Sequence, residues 1–393
     1  MPQAFNVKRA RRETRGCKDR IHFNNAGASL PSSIVCNTLY TYLRDEEEQG
    51  GYEVMAQRTK EIENFYSASA RLLNCSTDEI AFSDSATRAW NTAFYSLDLK
   101  RGDRVLASCS EYGSSLVAML HRARRDGIEI VWVPDDTFGQ IDIAALEQLI
   151  DDRVKLICLT LVPSGSGLVN PAAAVGRIAH NADIPYLLDA CQALGQLPVD
   201  VEQLGCDMLC GTGRKFLRGP RGTGLLYVRK SRLETLEPNQ LNHHGADLLT
   251  CDNYELKTNA RRFEFWERSY AGQVALGVAI DYALEWGLEN ISQRIKLLAD
   301  QMRKELISID GLSLIDPGGE QSGIISFCTI QQSAETLQKK LAHRHINTTT
   351  VPFSANPVRI DKCHQPMSLR ASLHYYNTHD EISQFIGELK QLL

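Results

Sequence analysis

No stretch of the 393-residue chain holds the ~20 consecutive apolar residues that a membrane span needs. The N-terminus also lacks the apolar segment of a secretion signal, so the expected location is the cytoplasm. Charge of one sign is missing too. The 43 Lys and Arg stand against 48 Asp and Glu, and a net charge of −5 gives no field to draw nucleic acid or a membrane surface. No internal repeat or low-complexity tract is present. The eleven cysteines follow no ligand spacing: Cys206 and Cys210 lack a second pair, so no metal site is expected. Cys158, Cys191, Cys206, Cys210 and Cys328 lie in apolar runs and read as small core residues of a reducing compartment. The one basic cluster, Lys8-Arg9-Ala10-Arg11-Arg12, reads as a solvated, frayed terminus rather than a nucleic-acid arm.

What is present is an ordinary soluble composition, 43% hydrophobic and 23% charged, on a chain long enough for two or three domains. Residues 104–108, 128–134, 154–161, 184–188, 208–211 and 224–228 are short apolar runs bounded by turn residues, the pattern of strands covered on both faces. Residues 86–97, 115–125, 143–150 and 172–180 between them have helical spacing. This alternation predicts an α/β domain on a mainly parallel sheet. Residues 273–309 read as one long helical stretch, kinked near Gly287, leading into a strand, helix and strand at 323–330, 334–345 and 369–375 and a closing helix at 379–393. Helices at 32–48 and 58–73 precede the alternation. The expected division is an N-terminal arm at 1–20, a large domain at 21–280 and a small C-terminal domain at 281–393.

Lys215 stands in Thr212-Gly213-Arg214-Lys215, followed by Gly219-Pro220-Arg221-Gly222-Thr223-Gly224; Asp189 closes the buried run Tyr186-Leu187-Leu188. A lysine amine can hold an aldehyde cofactor as a Schiff base, and a carboxylate can keep a pyridine nitrogen protonated. Asp189 lies at the carboxyl end of its strand, where open α/β sheets bind ligands. Ser83-Asp84-Ser85-Ala86-Thr87 opens a helix and offers small hydroxyls and backbone N–H groups to an anion. Arg370, inside the strand-like Leu369-Arg370-Ala371-Ser372, calls for a carboxylate partner such as an amino-acid substrate brings.

Together these motifs resemble the fold-type I pyridoxal-phosphate enzymes of the class V aminotransferase superfamily, nearest to cysteine desulfurases and selenocysteine lyases, C–S lyases and isopenicillin N epimerase-like proteins. The resemblance runs from about His22 to the end and rests on Gly213-Arg214-Lys215, Asp189-Ala190-Cys191-Gln192, and Arg370-Ala371-Ser372 with Tyr376-Asn377-Thr378. It implies a large domain on a mostly parallel, seven-stranded sheet and a smaller α+β C-terminal domain. It implies pyridoxal 5'-phosphate as cofactor, with Lys215 as Schiff-base lysine and proton shuttle, Asp189 at the pyridinium nitrogen and Gln192 at the phenolic oxygen. Ala86, Thr87, Thr212 and Arg214 would hold the phosphate. Arg370 would bind the substrate carboxylate, helped by Asn25 or Ala28, with His244 and Glu267 as further polar groups of the substrate pocket. Relatives complete the phosphate site across a dimer interface, which implies a homodimer with segment 262–269 near the active site.

Three departures bear on the chemistry. Tyr112 takes the place of the histidine that stacks on the cofactor in desulfurases, and Ser164 that of an asparagine at the cofactor. Cys363 echoes the persulfide-forming cysteine, but only six residues separate it from Arg370, so it reads as a nonessential cysteine in a truncated loop. The leading expectation is a lyase or transferase that cleaves the C–S bond of a cysteine-type amino acid. Transamination and epimerisation are the alternatives within the fold, and a non-catalytic binding protein the alternative outside it.

Overall fold

Apolar runs flanked by turns become strands because burying both faces leaves the backbone only neighbouring strands as hydrogen-bond partners. The computed structural model describes residues 5–352 and 367–393. Its first sheet contains β1 (Ile80–Ser83), β2 (Arg104–Ser108), β3 (Glu129–Val133), β4 (Val154–Thr160), β5 (Tyr186–Asp189), β6 (Met208–Thr212) and β7 (Gly224–Val228). The spatial order is β1-β7-β6-β5-β4-β2-β3. Neighbours are parallel except for β7, which runs against both β1 and β6. Helices Ala86–Tyr95, Gly113–Asp126, Ile143–Leu149 and Ala172–Asn181 fall where the periodicity predicts them. Two separate apolar cores form, one holding Leu106, Ile157, Leu188 and Leu209, the other Val105, Leu156, Leu187 and Met208. Residues adjacent along a strand face opposite ways, so the sheet is covered on both sides.

The helical stretch after residue 270 is two helices, Tyr270–Trp286 and Leu288–Ile307, parted at Gly287. The break follows from Gly287 itself, whose φ of +78° is a conformation that residues with a Cβ rarely adopt. The chain then builds a second, antiparallel sheet from β8 (Leu312–Leu314), β9 (Ile324–Thr329), β10 (Thr349–Pro352) and β11 (Met367–Ser372), in the order β8-β9-β11-β10. Helices Ala334–His343 and His379–Leu392 join its core, where Phe327, Leu341, Leu369 and Phe385 are buried.

Two N-terminal features differ from expectation. Residues 21–23 pack into the core of the second sheet, with Ile21 and Phe23 buried there and Ile21–His22 pairing in parallel with Ile346–Asn347. The basic cluster is docked rather than frayed. It forms helix Val7–Arg12 with Ala10 fully buried. Arg11 donates to Glu381 Oε1 at 2.6 Å and the Tyr376 carbonyl at 3.1 Å, and Arg9 to Glu285 at 2.6 Å. Partners hundreds of residues away turn an apparent charged tail into a clasp.

Candidate active site

The carboxyl ends of β2, β4, β5 and β6 converge on one cleft, which Tyr112, Thr160, Ser164, Asp189, Cys191, Gln192, Thr212, Arg214 and Lys215 line. The start of helix Ala86–Tyr95 closes its far side with Asp84, Ser85, Ala86 and Thr87. The helix can approach because β7 begins with Gly224: a Cβ there would meet the Gly211 carbonyl at 2.6 Å and the Ala86 nitrogen at 3.1 Å. Ser85 caps the helix by accepting from Arg88 N at 3.2 Å, and the first-turn N–H groups of Ala86 and Thr87 have no partner within the helix. They point to where an anion would sit, with Thr212 on the opposite wall.

Lys215 follows β6 and is buried; burial above all favours its neutral amine and lowers its pKa, against the pull of Cys191 and Asp189. Its Nζ lies 6.0 Å from the centroid of the Tyr112 ring. Asp189 is the last residue of β5, and its Oδ1 accepts from Cys191 N at 2.8 Å, which fixes the carboxylate at the mouth of the strand. Gln192 donates from Nε2 to the Ala26 carbonyl at 3.1 Å, while its buried Oε1 has no partner among the described residues. Arg214 donates to the Gly27 carbonyl. The turn after Lys215 is held by Arg218, a non-glycine residue at φ +62° whose N–H bonds the Lys215 carbonyl at 2.9 Å. The Arg218 guanidinium donates to the Leu30 carbonyl at 2.8 Å, Tyr375 Oη at 2.6 Å and Thr14 Oγ1 at 2.6 Å. That over-determination keeps a strained backbone in place.

Arg370, on β11, donates to the Ser164 carbonyl at 2.5 Å and to Asn24 Oδ1 at 3.3 Å, and its buried Nε has no partner among the described residues. Among the described residues no carboxylate pairs with it. Burial, reinforced by the nearby Arg214, pulls its pKa down to about 10. A buried, uncompensated cation beside a cleft is an invitation to an anion.

Asn25, Ala28 and His244 are not among the residues that line the cleft. The Asn25 amide is spent inside the fold: Nδ2 donates to the His22 and Ser372 carbonyls at 3.1 and 2.7 Å, and Oδ1 accepts from Tyr376 Oη. Its neighbour Asn24 is the one that reaches Arg370. Ala28 does not line the cleft; its carbonyl meets His22 Nε2 at 2.8 Å. His244 sits instead against buried Glu264 at 3.0 Å and Arg268 at 3.2 Å, where the paired charge holds it. Glu267 lines a neighbouring cleft with Arg88 and Phe265, sharing only Asp84 with the first. Cys363 lies outside the described residues. Asp189, Cys191 and Cys210 bring metal-type donor atoms within 4.8 Å of one another, a grouping that spacing along the chain did not reveal because Cys210 comes from the adjacent strand. Glu111 and Asn170 were also missed: both are buried polar residues behind the cleft. For Glu111 the signal was an acid three residues after a buried strand.

These residues fit pyridoxal phosphate. A buried amine of lowered pKa, a carboxylate fixed at a strand end, an aromatic wall and a helix N-terminus flanked by threonines match its aldehyde, ring nitrogen, ring face and phosphate. The orphaned Gln192 Oε1 and Arg370 Nε are the polar atoms a ligand would satisfy.

The model of the class-V aminotransferase family matches residues 21–385, and the chain belongs to that family. Within it, the chain is 32% identical over 378 residues to a cysteine desulfurase of Yersinia pestis, covering 93% of this chain and 91% of the relative. It is 28% identical over 388 residues to a probable cysteine desulfurase of Methanothermobacter thermautotrophicus, covering 96% of each. Among solved structures, the apo cysteine desulfurase of Thermococcus onnurineus NA1 superposes with a TM-score of 0.91 at 24% identity, over 98% of this chain and 97% of that one. The cystine C–S lyase C-DES, in complex with cysteine persulfide, superposes with a TM-score of 0.87 at 21% identity, over 96% and 99%. These likenesses show the fold.

Proposed function

We propose that the chain is a pyridoxal-phosphate enzyme that cleaves the C–S bond of a cysteine-type amino acid. The observation that carries this reading is a buried lysine amine and a strand-end carboxylate in one cleft, with an arginine that has no carboxylate partner among the described residues reaching the cleft wall at the Ser164 carbonyl. Held at Lys215, the cofactor supplies an electron sink for bonds breaking at the substrate's α- and β-carbons. The protein's own groups do the rest. Asp189 keeps negative charge at the ring-nitrogen end of the cleft. The first turn of helix Ala86–Tyr95, with Thr87, Thr212 and Arg214, binds phosphate. Tyr112 would wall one face of the cofactor ring, and Ser164 and Gln192, which line the same cleft, would border it. Arg370 clamps the substrate carboxylate and so sets which substituent faces Lys215. Lys215 Nζ takes the α-proton, helped by burial that favours the free amine.

Two finer points belong to this reading. The short spacing between Cys363 and Arg370 favours direct C–S lysis over persulfide transfer. Exposed Ile34, Tyr40, Leu43 and Tyr52 on successive N-terminal helices, at 50–66% exposure, support a homodimer. No helix among the described residues is long and apolar enough to cross a membrane, and buried Cys158, Cys206 and Cys210 suit a reducing cytoplasm. The test is a panel of amino acids followed by cofactor absorbance, with sulfide, pyruvate, ammonia and keto-acid products measured. Pyruvate and ammonia with sulfide from cysteine-type substrates support the reading; keto acids without pyruvate point to transamination.

A further inference from the structure

Glu111 has no part in the reading above, yet it is 2% exposed and forms no ion pair among the described residues. Its Oε1 accepts from Ser108 Oγ at 2.7 Å and from Thr160 N at 2.9 Å; its Oε2 accepts from Thr160 Oγ1 at 3.0 Å. Ser108 Oγ lies 3.1 Å from Ser110 Oγ, which accepts from Asn170 Nδ2 at 3.0 Å. Asn170 Nδ2 in turn donates to the Thr160 carbonyl at 2.7 Å. This buried network ties the end of β2 to the end of β4. Thr160 is also the register partner of Asp189 across β4 and β5. The residue after Glu111 is Tyr112, which starts helix Gly113–Asp126.

We propose that Glu111 is a positioning residue: it clamps the Ser110–Tyr112 turn to the end of β4 and so fixes the Tyr112 ring over the cleft, level with Asp189. The proposal rests on the reading of Tyr112 as the ring wall. The clamp survives a change of charge. Burial, with Asp189 adding to it, raises the Glu111 carboxyl to about 7. The other titratable groups coupled to it, Cys158 in β4, Tyr186 in β5 and Cys210 in β6, are buried with pKa values pushed upward and stay neutral. A protonated Glu111 keeps all three contacts, because Oε1 still accepts two and the new Oε2–H donates to Thr160 Oγ1, a hydroxyl that both donates and accepts. A glutamine has the same donor and acceptor pattern. An alanine leaves Thr160 N with no acceptor, and an aspartate is one methylene too short.

The experiment uses the full chain loaded with pyridoxal phosphate and reads visible circular dichroism of the bound cofactor, alongside kcat, KM and Tm. The variants are E111Q, E111A, E111D, Y112A and E111A/Y112A. The dichroic band is expected to fall in Y112A, E111A and E111D and to return in E111Q. In E111A and E111D kcat falls roughly 10- to 100-fold with KM little changed, the order expected for an ångström-scale misplacement. In the double variant E111A adds nothing to Y112A, since the two act as one unit. A wild-type band in E111A or E111D with only Tm lowered, an E111Q that behaves like E111A, or additive effects would each overturn the proposal. Should E111A fail to fold, E111D and E111Q decide. An unchanged band in Y112A shows instead that Tyr112 is not the ring wall, and the proposal falls with that reading.

Discussion

Replacing Arg370 by methionine should make the ligand-free protein slightly more stable while abolishing recognition of substrate. The guanidinium pKa is lowered from its ordinary value to about 10, chiefly by burial. At 1.36 kcal/mol per pKa unit this disfavours the charged side chain by about 3 kcal/mol relative to the unfolded chain. The sign is that of a base with a depressed folded pKa, so the cost is present in full below pH 10 and constant from pH 5 to 9. Methionine removes the charge, fills similar space, and forfeits the bonds to the Ser164 carbonyl and Asn24 Oδ1, each worth about 1 kcal/mol net. The balance is a gain of about 1 kcal/mol, readable by urea denaturation of cofactor-free protein. An unreactive amino-acid analogue should then stabilise the wild type, by about 2.7 kcal/mol at a hundred times its Kd, and leave Arg370→Met unmoved. Arg370→Lys keeps the charge without the planar fork and should raise KM sharply. A ligand that stabilises Arg370→Met as much as the wild type would show that Arg370 is not the carboxylate clamp.

Lys215→Ala should lose turnover, and borohydride treatment of the loaded protein should no longer leave cofactor mass on the peptide containing residue 215; near-normal activity would remove the cofactor assignment. Asp189→Asn should fold normally but lose activity worth several kcal/mol, on the order of other preorganised electrostatic losses, with wild-type rates marking Asp189 as structural only. Cys363→Ala should leave activity nearly untouched; a persulfide on Cys363 by mass spectrometry, together with an inactive variant, would restore the desulfurase route.

The first sheet was legible because its strands are apolar on both faces and stop at turn residues: Arg104–Ser108 and Gly224–Val228 match their expected bounds. Asp189 was legible as the polar residue that ends such a run, and Lys215 as the lysine of the glycine-rich turn that follows one. Pairings between distant segments were not. The basic N-terminal cluster looks solvated until Glu285 and Glu381 arrive from the other end of the chain. Asn24 and Asn25 are indistinguishable in sequence, and only the backbone turn decides which faces Arg370 and which is buried. His244 resembles a pocket histidine until Glu264, 20 residues on, claims it. Glu111 carries little local mark beyond following a buried strand, since its contacts depend on Thr160, 49 residues away.

The bonds of Arg218 also set an order of events. The turn that carries Lys215 closes on Thr14, from the start of the chain, and on Tyr375, close to its end. Until Tyr375 has been synthesised and docked, the Arg218 guanidinium lacks one of its three partners. The expectation is that a nascent chain forms the first sheet before the lysine turn is fully held, so that stable retention of cofactor comes late. Fragments ending before residue 375 should form much of the sheet and still fail to retain cofactor.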